Sequence, residues 1–165
     1  MSEFTGVRHV GWGVKDPVAL TKFYQDVMGM TVVAQTPANS PMGVTVFLSR
    51  HPEVEGHHDL VLFSNPMFAH TAFRVEDLGE FLKFYHEVRA RGVPIKFTFN
   101  HGVGFSFYFD DPEGHNIEIY WPTYVNAPQD YQVQPINLEL PEEELLRVAD
   151  RMAQQYGRLA PATVS

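Results

Sequence analysis

Cysteine is absent from the 165-residue chain, so disulfides and thiolate metal sites are excluded and any metal must sit on nitrogen and oxygen. Long apolar runs are missing as well. No stretch approaches the roughly 20 apolar residues of a membrane span, and no membrane partner is expected. The opening Met-Ser-Glu-Phe-Thr-Gly has no basic region followed by an apolar run, so no signal peptide is expected, and the expected location is cytoplasmic. Bases are scarce, 12 against 20 acids for a net charge of -8. That argues against nucleic acid as a partner, because phosphate binding wants a basic surface. What is present is a hydrophobic content of 44%, with 13 Phe and 7 Tyr, enough for one compact domain with a strand-rich core. Eight histidines beside no cysteine direct attention to imidazole chemistry.

The chain repeats itself. With His9 placed on His70, an offset of 61, residues 9–27 lie on residues 70–88 without a gap. Seven pairs are identical: His9/His70, Val14/Val75, Asp16/Asp77, Lys22/Lys83, Phe23/Phe84, Tyr24/Tyr85 and Val27/Val88. Chance would give about one or two over such a length on average protein composition, so the duplication is real.

Each half reads alike. A short strand (7–14; 69–75) runs into an Asp able to cap a helix, Asp16 or Asp77. The helix follows with apolar residues on a 3.6 period, Leu20, Phe23, Tyr24 and Val27 or Phe81, Phe84, Tyr85 and Val88. Gly29 and Gly92 stand where a helix would end. Three strand-like stretches come next, 30–36, 43–49 and 57–64 in the first half and 93–99, 104–109 and 116–121 in the second. The expected fold is therefore α+β, two βαβββ modules (about 5–64 and 67–122, within a domain of residues 1–125) forming a half-open curved sheet barrel. An extension over 126–165 adds a C-terminal helix from Pro141 to about Tyr156, with Glu142 to Glu144 at its positive end. A concave sheet face is where a pocket is expected.

His9 and His70 hold the same position in the two copies, so symmetry would bring them together at that pocket. Glu118 lies in Asn116-Ile-Glu-Ile-Tyr-Trp121, where strand alternation points it away from Ile117 and Ile119. A buried carboxylate costs several kcal/mol unless paired or metal-bound; the bland alternative is a solvent-facing Glu. Aligning Pro52-Glu53 on Pro112-Glu113 and Gly56 on Gly114, with two extra residues in the first copy, sets Leu60 against Glu118. Leucine cannot ligate. Two imidazoles and one carboxylate leave open positions on an octahedral ion, as Fe(II) uses to take substrate and O2, although Zn(II) also accepts three such ligands. On the same alignment His58, two residues before Leu60, shares the pocket face and could exchange protons with a bound molecule, or it is a strand-end surface histidine. His57 points to the other side.

These residues resemble the vicinal oxygen chelate superfamily, a group of doubled βαβββ metalloenzymes that includes glyoxalases, epimerases, fosfomycin-resistance proteins and type I extradiol ring-cleaving dioxygenases. The resemblance covers residues 7–121. Within it, His101-Gly-Val-Gly-Phe-Ser-Phe107-Tyr108-Phe-Asp-Asp111-Pro112-Glu-Gly114-His-Asn-Ile-Glu118 is most similar to the extradiol dioxygenase signature, with Phe99 standing where that signature prefers a smaller residue. The run from His58, His-Asp-Leu-Val-Leu, resembles the segment that carries the acid-base histidine. The resemblance implies metal ligation by His9, His70 and Glu118, with Fe(II) the expected ion and Mn(II) or Zn(II) alternatives. It implies catalysis by His58, Tyr108 and His101, and substrate contact by His101 and Tyr108. Phe73, with Phe105, Phe107 and Tyr120, suggests a flat apolar substrate against the pocket wall, or equally an ordinary core. The expected partners are a catechol-type diol and O2, in a homo-oligomer. Many members carry two copies of this domain. This chain carries one, resembling the catalytic copy, so the remaining pocket wall is expected from residues 122–165 or another subunit.

Two other functions suit part of this pattern. A glyoxalase-, epimerase- or thiol-transferase-like enzyme shares the fold, but the first two generally use a fourth protein ligand, which Leu60 removes, and a fosfomycin-type transferase needs a cationic pocket. A metal-free binding or resistance protein would keep the fold and lose the ligands, whereas all three are present.

Overall fold

A computed structural model describes residues 4–54, 57–128 and 131–159. Gly56, used above to align the two halves, lies outside the described residues. The elements run β1 (Gly6–Gly13), α1 (Pro17–Met28), β2 (Thr31–Thr36), β3 (Thr45–Ser49), β4 (Leu60–Phe63), a 3-10 turn (Pro66–Phe68), β5 (His70–Arg74), α2 (Leu78–Ala90), β6 (Phe97–Asn100), β7 (Gly104–Asp110), β8 (Asn116–Pro122), β9 (Gln134–Pro135) and α3 (Glu142–Tyr156). This is the expected α+β arrangement, βαβββ twice with a C-terminal helix. The chain divides into two compact units, residues 8–71 and residues 72–159 joined by 4–7, and it passes from one to the other inside β1 and β5.

The helices begin where their caps require. The Asp16 carboxylate accepts from the Ala19 amide at 2.9 Å, and Asp77 from the Glu80 amide at 2.9 Å. Helix α1 stops at Gly29, whose φ of 63° any β-carbon would resist. Helix α2 gives way to Gly92 at φ 77°.

In the first unit the strand order is β2-β3-β4-β1. Strands β2, β3 and β4 pair antiparallel, and β4 runs parallel to β1 with Val10 opposite Leu60 and Gly13 opposite Phe63. In the second the order is β5-β8-β7-β6-β9, with Tyr108 opposite Glu118 in the antiparallel β7/β8 pair. Each unit has its own core beneath its helix. Met30, Val46, Leu48, Leu60 and Leu62 pack with Leu20 and Tyr24 in the first. The second is larger: Phe81, Tyr85, Val88, Phe105, Phe107, Ile119 and Trp121 pack with Leu138, Leu145 and Ala149 of the C-terminal extension.

The structure corrects the alignment that set Leu60 against Glu118. The Val14 amide donates to the Phe63 carbonyl at 2.8 Å, and its counterpart Val75 donates to that of Tyr120 at 2.9 Å. Phe63 thus matches Tyr120, and Glu118 matches Val61. Leu60 belongs to the helix-side core instead. The first copy holds three extra residues in that loop rather than two. Valine, like leucine, cannot ligate.

Smaller differences have local causes. β4 starts at Leu60 rather than residue 57, because the Asp59 carboxylate turns back to accept from the Arg50 amide at 2.7 Å and the Ser49 hydroxyl at 3.3 Å. β6 starts at Phe97 rather than residue 93, since Pro94 has no amide to donate. β9 was not expected; it lays Pro135 opposite Phe99 on the edge of β6. No helix among the described residues is long and apolar enough to cross a membrane.

Candidate functional site

In the first unit, β1 delivers His9 to the face opposite the helix, 7% exposed. His70 opens β5, and its Nε2 lies 2.7 Å from Nε2 of His9. The other ring nitrogen of His70, Nδ1, lies 2.7 Å from the carbonyl of Phe68. A carbonyl only accepts, so Nδ1 carries the proton and Nε2 of neutral His70 presents a lone pair toward His9. Two imidazoles arranged this way share one proton or one cation between them.

The ring of His58 lies 4.4 Å from that of His9 and 5.2 Å from that of Phe47. His58 precedes β4, so its position comes from the turn rather than from strand alternation. An adjoining network fixes that turn. Arg8 donates to the His58 carbonyl at 2.9 Å and lies 3.1 Å from Nδ1 of His57, whose Nε2 is 3.1 Å from Asp59. His57 thus lies in this Arg8–Asp59 network.

In the second unit, Glu118 is 2% exposed. Alternation along β8 sends Ile117 and Ile119 to the core and Glu118 to the other face. There it accepts from the Ser106 hydroxyl at 2.5 Å. Tyr108, its cross-strand partner, is also buried. Burial first, then the Glu118 carboxylate beside it, push the Tyr108 phenol well above its ordinary value. The phenol therefore keeps its proton at neutral pH and can donate a hydrogen bond. Its oxygen shares a hydrogen bond of 3.1 Å with Nε2 of His101, which lies 3.9 Å from a Glu118 oxygen. The loop under His101 is set by Asn100, whose side chain accepts from the Gly102 amide at 2.8 Å, and by Gly102 at φ 83°.

The structure thus brings His9, His70 and His58 together in one unit and Glu118, Tyr108 and His101 together in the other. Phe73 is a correction. It was expected to contact substrate, but alternation on β5 turns it away from His70. It packs against the helix-side core, 5.7 Å from the ring of Phe4. Phe105 and Phe107 belong to the same core. The sequence reading missed Ser106. Its signal was present: one small polar residue in the aromatic run Phe105-Ser106-Phe107-Tyr108, on the same strand face as Tyr108.

With this fold and these residues in view, comparison with known proteins identifies the class. The model of the Glyoxalase/Bleomycin resistance protein/Dioxygenase superfamily matches residues 6–119, and the chain belongs to that superfamily. The chain is 33% identical over 113 residues to biphenyl-2,3-diol 1,2-dioxygenase 3 of Rhodococcus globerulus, a match covering 61% of this chain and 55% of that protein. The chain therefore spans about half the length of that relative. Among solved structures, the Mn(II)-bound glyoxalase from Novosphingobium aromaticivorans is 25% identical with a TM-score of 0.58, over 73% of this chain and 40% of that one. Homoprotocatechuate 2,3-dioxygenase from Arthrobacter globiformis is 25% identical with a TM-score of 0.57, over 73% of this chain and 37% of that one.

Proposed function

We propose that the protein is an Fe(II)-dependent extradiol dioxygenase that opens the ring of a catechol-type diol with O2, with His9, His70 and Glu118 as metal ligands. The observation that carries this reading is the pair of Nε2 atoms, 2.7 Å apart, from duplicated positions of β1 and β5. The donors suit a divalent ion: neutral His70 presents a lone pair, and a deeply buried carboxylate is stabilised by a cation. His9, His70 and Glu118 are the candidate set for a single ion among the described residues. Val61 at the position equivalent to Glu118 leaves three protein ligands, which suits Fe(II) with open positions; Mn(II) and Zn(II) accept the same donors. The similarity to a biphenyl-diol dioxygenase favours the dioxygenase over other members of the superfamily.

When bound, such an ion would hold the two diol oxygens beside O2 and let electrons pass from the ring to oxygen. The residues manage the protons. His58 accepts one from a substrate hydroxyl and later returns it. Tyr108 donates a hydrogen bond to a substrate oxygen as negative charge develops there, and His101 holds the phenol in place. Both atoms of O2 end in the product, an aldehyde and a carboxylate on the opened chain, so no external reductant is required. The protein would act as a cytoplasmic homo-oligomer on a small molecule.

Oxygen uptake tests this. Protein loaded anaerobically with Fe(II) is exposed to a panel of catechols and 2,3-dihydroxybiphenyl. One O2 consumed per diol, with a ring-opened chromophore, is expected. The His58→Ala variant is expected to keep its iron and slow by about 10²–10⁴. Glutathione-dependent turnover with Mn(II) in place of oxygen uptake would overturn the reading in favour of a glyoxalase- or transferase-like enzyme.

A further inference from the structure

Strand β1 carries glycine at positions 11 and 13, on the face it shares with His9. A β-carbon at Gly11 would stand 2.6 Å from Cε2 of Phe63 and 3.4 Å from Nδ1 of His70. One at Gly13 would stand 2.6 Å from the Pro66 Cβ. The equivalent positions in the second copy are Ala72, fully buried, and Arg74. The duplicated strand therefore accepts side chains at both places, and the requirement for glycine is particular to the first copy.

What crosses β1 there explains it. The turn Pro66–Phe68 lies against Gly13, capped by the Asn65 side chain, which accepts from the Met67 amide at 3.2 Å. That turn presents the Phe68 carbonyl that fixes the protonated nitrogen of His70. The buried ring of Phe63 fills the space over Gly11, 5.8 Å from the ring of His70 and 6.2 Å from that of Phe68. The space a β-carbon at Gly11 would take thus lies against both the Phe63 ring and the His70 imidazole. An atom added at Gly11 displaces Phe63 from its seat beside His70 and crowds Nδ1.

We propose that Gly11 is a positioning residue for the metal: its missing side chain seats Phe63, and Phe63 holds the His70 imidazole with Nδ1 on the Phe68 carbonyl and Nε2 facing His9. This rests on the reading of His9, His70 and Glu118 as ligands. The position differs from an ordinary tight glycine because one methyl group there acts on a ring orientation rather than on the strand.

The test compares Fe(II) affinity, by anaerobic competition with a chelator, in the wild type, Gly11→Ala and the double variant Gly11→Ala/Phe63→Leu. Thermal unfolding of the metal-free proteins checks folding, and the imidazole nitrogen spectrum of His70 reports its tautomer. Gly11→Ala is expected to fold, to bind Fe(II) about 10–100-fold more weakly, as loss of a partner that orients a ligand does, and to lose the pure Nδ1–H form of His70. The double variant, which removes ring volume where the methyl is added, is expected to recover most of the affinity and the Nδ1–H signal. Wild-type affinity in Gly11→Ala would overturn the proposal. So would a folded double variant that stays weak, and this arm decides the matter even if the single variant does not fold. A wild type that binds no Fe(II) would instead refute the ligand assignment itself.

Discussion

In the second half of the molecule, Phe73, Phe84, Tyr85 and Val88 are covered. Phe4 sets its ring 5.7 Å from Phe73 and 5.1 Å edge-on to Phe84, and the C-terminal extension adds Leu138, Leu145 and Ala149 to the same core. At the same four positions of the first half, Tyr24 packs on its own core, and among the described residues Trp12, Phe23 and Val27 carry no such layer from their own unit. Trp12 is 47% exposed, Phe23 51% and Val27 66%, where Val88 is 5%. Duplication therefore copied the strand and helix geometry that places His9 and His70, but not the packing behind it. The first half carries three histidines of the candidate site on the smaller core, while Glu118 stands on the larger one.

The contrast can be broken by substitution. Phe81→Ala, at the centre of the larger core, is expected to cost about 3–5 kcal/mol. Its counterpart Leu20→Ala, only partly buried, should fall at or below the low end of the roughly 2–5 kcal/mol of buried leucines. Urea unfolding measures both, and equal losses would contradict the contrast. Val88→Ala should cost about 2 kcal/mol, whereas Val27→Ala should stay within about 0.5 kcal/mol, as exposed sites do. Phe4→Ala, which removes two aromatic contacts from a residue itself 40% exposed, should cost about 1 kcal/mol. A silent Phe4 would mean that the N-terminal segment covers nothing.

The smallest expected effect is electrostatic. At Glu76, burial pushes the carboxyl up, but hydrogen bonds from Arg74 and Tyr124 and the Arg74 charge outweigh it and hold the group below its ordinary value. A carboxyl lowered on folding adds stability above its unfolded value of about 4.5, and that stability is lost as pH falls through the folded value. The equivalent residue of the first half is Lys15, which offers no such contribution. Glu76→Gln should therefore flatten part of the acid limb of the stability profile, modestly, because Glu76 is exposed and Arg74 only half-buried. An unchanged profile would remove the ion pair from the comparison.

Much of this was legible in the sequence where one residue decides a local event. Asp16 and Asp77 announced both helix starts, Gly29 and Gly92 both ends, and alternation turned Glu118 from its isoleucine neighbours. Features set by tertiary geometry were not. The equivalence of Val61 with Glu118 depends on how many residues the preceding loop absorbs, which a Gly-to-Gly alignment misjudged by one. Phe73 read as a pocket aromatic because composition says nothing about which strand face meets the helix. Gly11 and the Phe68 carbonyl act through residues more than 50 positions away in sequence or through backbone atoms, and neither leaves a motif.

Metal content decides the central assignment. Protein reconstituted anaerobically with Fe(II), desalted, and analysed for iron alongside His9→Ala, His70→Ala and Glu118→Ala should hold one iron per chain in the wild type and lose it in each variant. Iron retained after Glu118→Ala, or none retained by the wild type, would contradict it.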